Sequence, residues 1–397
     1  MQIDVQHVVR RDTSLIRRRF SSQSDVVAAP APSPAVTIIP TNGSSNPATP
    51  PGTLDYSVLV SYGTPEQQFP VFLDNSFGTS MLRCKPCASG SGDCDPAFDT
   101  SRSSTFAHVL CGSPDCPTNC SDGSVCPFDD LYTTTKGTFA EDVLSLAPSM
   151  AVHNFRFVCV DVDEPSHGLP EAGILDLSRD RNSLPSRLSS SWLAPAATFS
   201  YCLPQSPSSQ GFLALGGDAT VGHDDYNLSS HAPLVSSAYP ELSSMYFIDV
   251  VGMRLGGQNL PIPAGTFGGN ASTTLDMGTT FTMLAPDAYA PLRDAFQKEM
   301  SQYNRSVPGF AGFDTCFNFT DLNDLVIPNV QFKFSNGDIL VIHADQMLYY
   351  DDPAAGPFGM TCLAFSSLDA GDDVFSAVIG TYTLTSTEVV YDVAGGK

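Results

Sequence analysis

Cations are scarce in this 397-residue chain: 19 Lys and Arg stand against 42 Asp and Glu, a formal net charge of −23. A nucleic-acid phosphate backbone or an anionic lipid surface would repel such a protein, so polyanions are poor partners. No run of about 18 apolar residues exists to span a bilayer. The segment after Met1 is polar and contains Arg where a secretory signal has an apolar centre, so no signal peptide is legible in the chain as given. Histidine is sparse, and His7, His108, His153, His167, His223, His231 and His343 form no close ligand set. The single Trp, Trp192, reads as a packing residue. What is present is ordinary for a globular chain: 42% hydrophobic residues, enough for one large domain or two to three smaller ones. The acid excess suits a protein that works in acid, where many carboxylates are neutral, and equally serves plain solubility.

Cysteine is plentiful, with eleven in all. Cys84, Cys87, Cys94, Cys111, Cys116, Cys120 and Cys126 crowd into one stretch, which reads as a disulfide-stapled segment from an oxidising compartment. Asn-x-Ser/Thr sequons at Asn42, Asn119, Asn227, Asn270, Asn304 and Asn318 point the same way, although a chain rich in Ser and Thr produces several by chance. Zinc is the rival, because Cys84-Lys-Pro-Cys87 has ligand spacing. No second matching pair and no His-x3-5-His follows it, and no βαβ pattern surrounds it to suggest a thioredoxin-type redox pair.

Residues 1–53 differ from the rest. Five Arg fall within the first nineteen positions, followed by an aperiodic Ala, Pro, Ser, Thr and Gly stretch, so this part reads as a basic leader and linker, loosely held on an acidic body. Beyond it, short runs such as Tyr56-Ser-Val-Leu-Val60, Phe155-Arg-Phe-Val158, Tyr246-Phe-Ile-Asp-Val-Val251 and Val330-Gln-Phe-Lys-Phe334 alternate with Gly and Pro turns, the pattern of an all-β chain. The clearest helix runs from Pro286 to Tyr303, with Asp287 near its start and Leu292, Phe296 and Met300 at helical spacing. An internal repeat then organises the whole: LDNSFGTSML (Leu73–Leu82) lies over LDMGTTFTML (Leu275–Leu284), and the apolar turn ending at Asp176 lies over the one ending at Gly380 at nearly the same offset. Two copies of one β unit can bring Asp74 and Asp276 face to face across a pseudo-twofold axis; two unrelated turn acids are the plainer reading.

These stretches, together with DYSVLVSYGTPEQQ, FDTSRSSTF, ATFSYCL, YFIDVVGMRLGGQNLPIP, FDTCFNF, TCLAF and AVIGTYTLTSTEVVYDVAGG, resemble the pepsin-like aspartic proteases, in particular the cysteine-rich plant branch that includes the nepenthesins. The resemblance covers the chain from about residue 55 onward. It implies a bilobal, all-β fold with a first lobe over 54–238 and a second over 239–397, a leader derived from a prosegment and removed on maturation, and an end short of the family's last strand. It implies a polypeptide substrate or protein target, no cofactor, a monomer, and a secreted, apoplastic or vacuolar location. Asp74 and Asp276 would be the two catalytic acids, sharing one proton and holding a water between them, one as base and one as acid. Transferred by position, the family's disulfides would join Cys84 to Cys87, Cys94 to Cys159, Cys111 to Cys126, Cys116 to Cys120 and Cys316 to Cys362, leaving Cys202 over.

The resemblance also marks departures. Gly278 and Thr279 keep much of the second acid's loop, but Asn75 stands where a cross-lobe hydroxyl belongs, Ser76 where Gly belongs, and Phe77 where a Ser usually meets the acid. Met277 replaces the second cross-lobe hydroxyl. Asn75 can still donate through its amide. In the flap, Tyr132 aligns while the Gly-rich tip is about three residues short. Asp176 takes a Gly position, either as an extra acid among packed turns or as a solvent-exposed rim residue. The resemblance therefore implies either an acid endopeptidase with weakened support or a catalytically silent binding protein like the plant xylanase inhibitors, which are built on the same fold.

Overall fold

In Asp55–Tyr62 one face of an extended run, Tyr56, Val58, Val60 and Tyr62, is wholly buried, while on the other Ser57 and Ser61 are buried and Leu59 is exposed, the pattern of a strand with one face on the core. Such strands dominate the computed structural model, which describes residues 36–45, 53–85, 96–129, 135–148, 150–160, 172–190, 198–216, 230–268, 272–371, 374–393 and 396. The first half supplies β1 (Thr37–Ser44), β2 (Asp55–Tyr62), β3 (Gln67–Asp74), β4 (Met81–Lys85) and β5 (Pro127–Asp129). It continues with β6 (Lys136–Ala147), β7 (Met150–Val160), β8 (Gly173–Asp176), β9 (Thr198–Cys202) and β10 (Gln210–Leu215). The second half supplies β11 (Ser272–Leu275), β12 (Thr282–Leu284), helix α1 (Pro286–Met300), β13 (Phe375–Ile379) and β14 (Glu388–Asp392), with shorter strands between them.

The main sheet of the first half runs β14-β9-β10-β1-β2-β3-β8-β4-β7-β6. Strand β1 lies inside the stretch expected to be linker. It pairs with β10 from Thr37 to Asn42 and with β2 from Thr41 to Ser44. Composition misleads here: Pro40 is exposed and precedes the β2 ladder, where its missing N–H does no harm, while Ile39 and Thr41 are buried. Residues 1–35 lie outside the described residues.

The sequence repeat becomes a structural one. Strand β8 enters between β3 and β4, parallel to the first and antiparallel to the second, with Asp176 beside Asp74. In the second half β13 lies parallel to β11, with Ile379 beside Leu275, and antiparallel to β12. Helix α1 buries Ala288, Tyr289, Leu292, Phe296 and Met300 on one face against the second half's core, as its apolar spacing requires. The first half's core contains three residues from the second half, Tyr246, Met277 and Tyr391.

Four disulfides join described residues, and three of them differ from the expected pairing. Cys84 bonds Cys159, because β4 and β7 are adjacent parallel strands and bring their Cα atoms to 5.3 Å. Cys111 bonds Cys120 and Cys116 bonds Cys126. The pairings of Cys84 to Cys87, Cys94 to Cys159, Cys111 to Cys126 and Cys116 to Cys120 are thus replaced; Cys87 and Cys94 themselves lie outside the described residues. Cys316 bonds Cys362 as expected, directly across two antiparallel strands, and Cys202 is in none of these bridges. The sulfurs of Cys111, Cys116 and Cys120 lie close enough together to suggest a metal site, but the two disulfides account for that closeness.

Candidate active site

Strand β3 ends at Asp74, and the chain then turns back over the carboxylate. The Ser76 and Phe77 amides donate to Asp74 Oδ1 at 2.7 and 2.8 Å, and the Ser76 hydroxyl donates to the same oxygen at 3.1 Å. Ser76 thus makes the side-chain contact to the acid that Phe77 cannot make. At the matching place in the second half, the Gly278 amide donates to Asp276 Oδ1 at 3.0 Å and the Thr279 hydroxyl to Asp276 Oδ2 at 2.6 Å. The two acids converge on Gly278: a Cβ placed there would lie 2.9 Å from Asp74 Oδ2 and 3.5 Å from Asp276 Oδ1. Burial and the nearby Asp276 raise the Asp74 carboxyl above its ordinary range, against the lowering pull of the Ser76 and Phe77 hydrogen bonds.

The cross-lobe grip is rebuilt around Asn75. Its Nδ2 donates to the Leu275 carbonyl at 2.8 Å, and its Oδ1 accepts from the Met277 amide at 2.9 Å. One amide therefore both donates and accepts across the lobes, the two tasks that a hydroxyl would perform. Nδ2 also donates to the Tyr391 hydroxyl at 3.1 Å, and that ring stacks on Phe199 with centroids 4.7 Å apart. Met277 makes no polar return contact; its side chain packs into the first half's core instead. The grip thus has one polar side and one apolar side.

Asp176 is wholly buried, so the solvent-exposed reading of this position is overturned. The Ser178 amide and hydroxyl donate to its two oxygens at 2.8 and 3.1 Å. Sequence reasoning also missed Tyr391, Tyr246 and Ser178: the alternation in Glu-Val-Val-Tyr-Asp signals a strand but not which half receives it. Tyr132 lies outside the described residues. The strands on either side of it in the chain, β5 and β6, pair from Pro127 with Thr138 to Asp129 with Lys136. Beside Ser76 and Phe77 lies a cavity of about 590 Å³, lined also by Phe128, Phe139 and Met245 with Asp115, Asp180 and Arg181.

Models of the xylanase inhibitor N-terminal and C-terminal regions match residues 56–217 and 245–397. An Arabidopsis thaliana protein named aspartyl protease AED1 is 30% identical over all of this chain and 81% of its own length. The chain belongs to the plant aspartyl protease family. Within that family, nepenthesin-1 of Nepenthes gracilis is 28% identical over 86% of this chain and 76% of its own. Among solved structures, soybean basic 7S globulin superposes with a TM-score of 0.69 at 22% identity, covering 91% of this chain and 93% of that one. The crystal structure of edgp gives 0.73 at 20% identity, covering 93% of this chain and 95% of that one. At those identities the two establish the fold alone, the two-lobed pepsin-like one. Among the described residues no helix is long and apolar enough to cross a membrane.

Proposed function

We propose that this family member is an acid endopeptidase whose two catalytic acids are Asp74 and Asp276. The observation that carries the reading is the convergence of both carboxylates on the space above Gly278, each held by donors from its own loop. In the mechanism, a water between the acids attacks the substrate carbonyl. Asp74 Oδ2, which accepts no hydrogen bond among the described residues, carries the shared proton and passes it to the carbonyl oxygen. Asp276, with a donor on each oxygen, takes the proton from the water. No covalent intermediate forms. The cavity beside Phe77 would receive an apolar side chain of the polypeptide, with its acidic rim facing neighbouring positions. Four disulfides support an oxidising, secretory-pathway origin and a secreted or vacuolar location.

The second reading is a binding protein without proteolysis. The match to the xylanase inhibitor models favours it, as does Met277, whose apolar side chain stands at the second grip position. Digestion of a denatured protein at about pH 4, with and without pepstatin, separates the two. The endopeptidase reading expects pepstatin-sensitive cleavage that is lost in Asp74→Asn and in Asp276→Asn; a folded wild-type chain that leaves the substrate intact overturns it and leaves the binding-protein reading.

A further inference from the structure

One buried acid has no part in that mechanism. Asp176 ends β8, and its register partner on the adjacent parallel strand is Asp74 itself. The groups that face it supply no cation. From β3 comes Asp74, from the following loop Asp180, and from the second half Tyr246. Arg179 places its guanidinium 6.0 Å over the Tyr246 ring. On β4, Met81 and Leu82 pair with Ile174 and Gly173, and the Arg83 backbone amide donates to the Ala172 carbonyl. No ion pair between described residues includes Asp176.

The same strand end is mechanically tied to the centre. The Asp176 amide donates to Ser80 Oγ at 3.0 Å, and the Leu177 amide donates to the Asp74 carbonyl at 2.7 Å. The loop that follows holds the second half, through Tyr246 OH to the Ser178 carbonyl at 3.2 Å and the Arg179 amide to the Ser244 carbonyl at 2.7 Å. We propose that Asp176 is a pH-responsive positioning residue: as a neutral acid it seats the strand end that holds Asp74, and on ionising it unseats that strand end and disables the centre.

Neutral, the carboxyl accepts the Ser178 amide on Oδ1 and shares a hydrogen bond between Oδ2 and the Ser178 hydroxyl, so every polar atom is satisfied. Ionised, it is a buried charge beside a second acid with only Ser178 to stabilise it, and opening the loop to water relieves it. Opening breaks the Leu177 bond to the Asp74 carbonyl and the two contacts to the second half. Burial first, then Asp74 and Asp180, push the Asp176 carboxyl from 3.8 up to about 7. The folded value stands above the unfolded one. The stability it permits is therefore whole below the unfolded value and is lost as pH rises through about 7.

The test uses the full chain with Asp176→Asn and, should the amide fit poorly, Asp176→Gly, each followed from acid to mild alkali by urea midpoint and by cleavage rate. The wild type is expected to lose urea midpoint between about pH 4 and 7 and cleavage rate as pH rises through about 7. In either variant the alkaline limb of both curves should move up by about one unit or more, raising the ratio of neutral to acid rate about tenfold, while the acid limb stays. Of the protonated-carboxyl infrared absorption at about pH 6, the share belonging to one carboxyl should be lost in Asp176→Asn and kept in Asp74→Asn. Folded variants that keep the wild-type alkaline midpoint overturn the proposal. The activity arm rests on the endopeptidase reading; if the wild type cleaves nothing, that reading fails alone, and the urea midpoints and infrared band still decide the role of Asp176.

Discussion

Asn75 does at one residue what the family resemblance assigns to a hydroxyl, and its geometry says what its loss costs. Asn75→Ala leaves the buried Met277 amide without its acceptor and the Leu275 carbonyl without the Asn75 donor. It is expected to destabilise the fold by about 2–4 kcal/mol and to slow cleavage on the order of 100-fold through displacement of Asp74. Asn75→Thr can restore both bonds through one hydroxyl and should lose only about 1 kcal/mol. Equal urea midpoints for Ala and Thr variants would refute this account of the grip. Ser76 inverts the expectation drawn from family alignment: because its hydroxyl bonds Asp74, restoring Gly there removes a contact and repairs nothing. Gly278 admits a sharper test. It is exposed, and a Cβ on it would meet Asp74 Oδ2 at 2.9 Å, so Gly278→Ala is expected to abolish cleavage with a urea midpoint near the wild type's. A Gly278→Ala enzyme of normal rate would mean that the reacting groups lie elsewhere.

Between single residues and the whole lie the paired strands, where the repeat's two copies have diverged. In the second copy Gly380 is forced, since a Cβ would lie 2.6 Å from the Thr280 carbonyl oxygen; in the first copy the corresponding Asp176 fits, clothed by Ser178. Gly380→Ala is therefore expected to cost roughly 2–3 kcal/mol, read as a lowered urea midpoint, although it adds only a methyl group. An unchanged midpoint would show that the β12 turn can yield. The strands themselves were legible: Val330–Phe334 and the helix from Pro286 stand where alternation and helical spacing put them. So was the convergence of Asp74 and Asp276, because a duplicated strand-turn unit carries its acid with it. The cysteine pairing was not, since bonding of Cys84 to Cys159 depends on which strand lies beside β4, a fact absent from local spacing. Nor was the burial of Asp176, because a carboxylate among apolar turns reads as surface until a neighbouring strand covers it. Strand β1 was hidden by composition: Pro40 and Gly43 disguise a segment whose partners come from β2 and β10, the latter far along the chain.

At the scale of the molecule, the two halves share a core and a sheet. Strand β14 comes from the end of the second half, yet it pairs with β9 from Thr198 with Asp392 to Cys202 with Glu388, and so closes the first half's sheet. Tyr391 on that strand stacks on Phe199 and accepts the Asn75 amide, while Tyr246 and Met277 fill the same core from the far side. A first half expressed alone, through residue 238, would leave β9 with an open edge and its core short of three large side chains, a deficit comparable to the whole stability of an ordinary domain. We therefore expect that half to be unfolded or aggregated by near-ultraviolet circular dichroism. The intact chain at about pH 5 should melt in one transition, because the β14 pairing transmits the loss of either half to the other. Tyr391→Phe separates packing from polarity: the stacked ring remains and only the hydroxyl beneath Asn75 goes. Its cost should be about 1 kcal/mol, against about 3–5 for Tyr391→Ala. Two separate melting transitions, or a first half that folds by itself, would show that β14 is an ornament on a finished lobe. A single transition that Tyr391→Ala lowers and Tyr391→Phe barely moves would mark β14 as the element that makes two lobes one cooperative unit, with Asp74 and Asp276 held in register by a strand from the chain's far end.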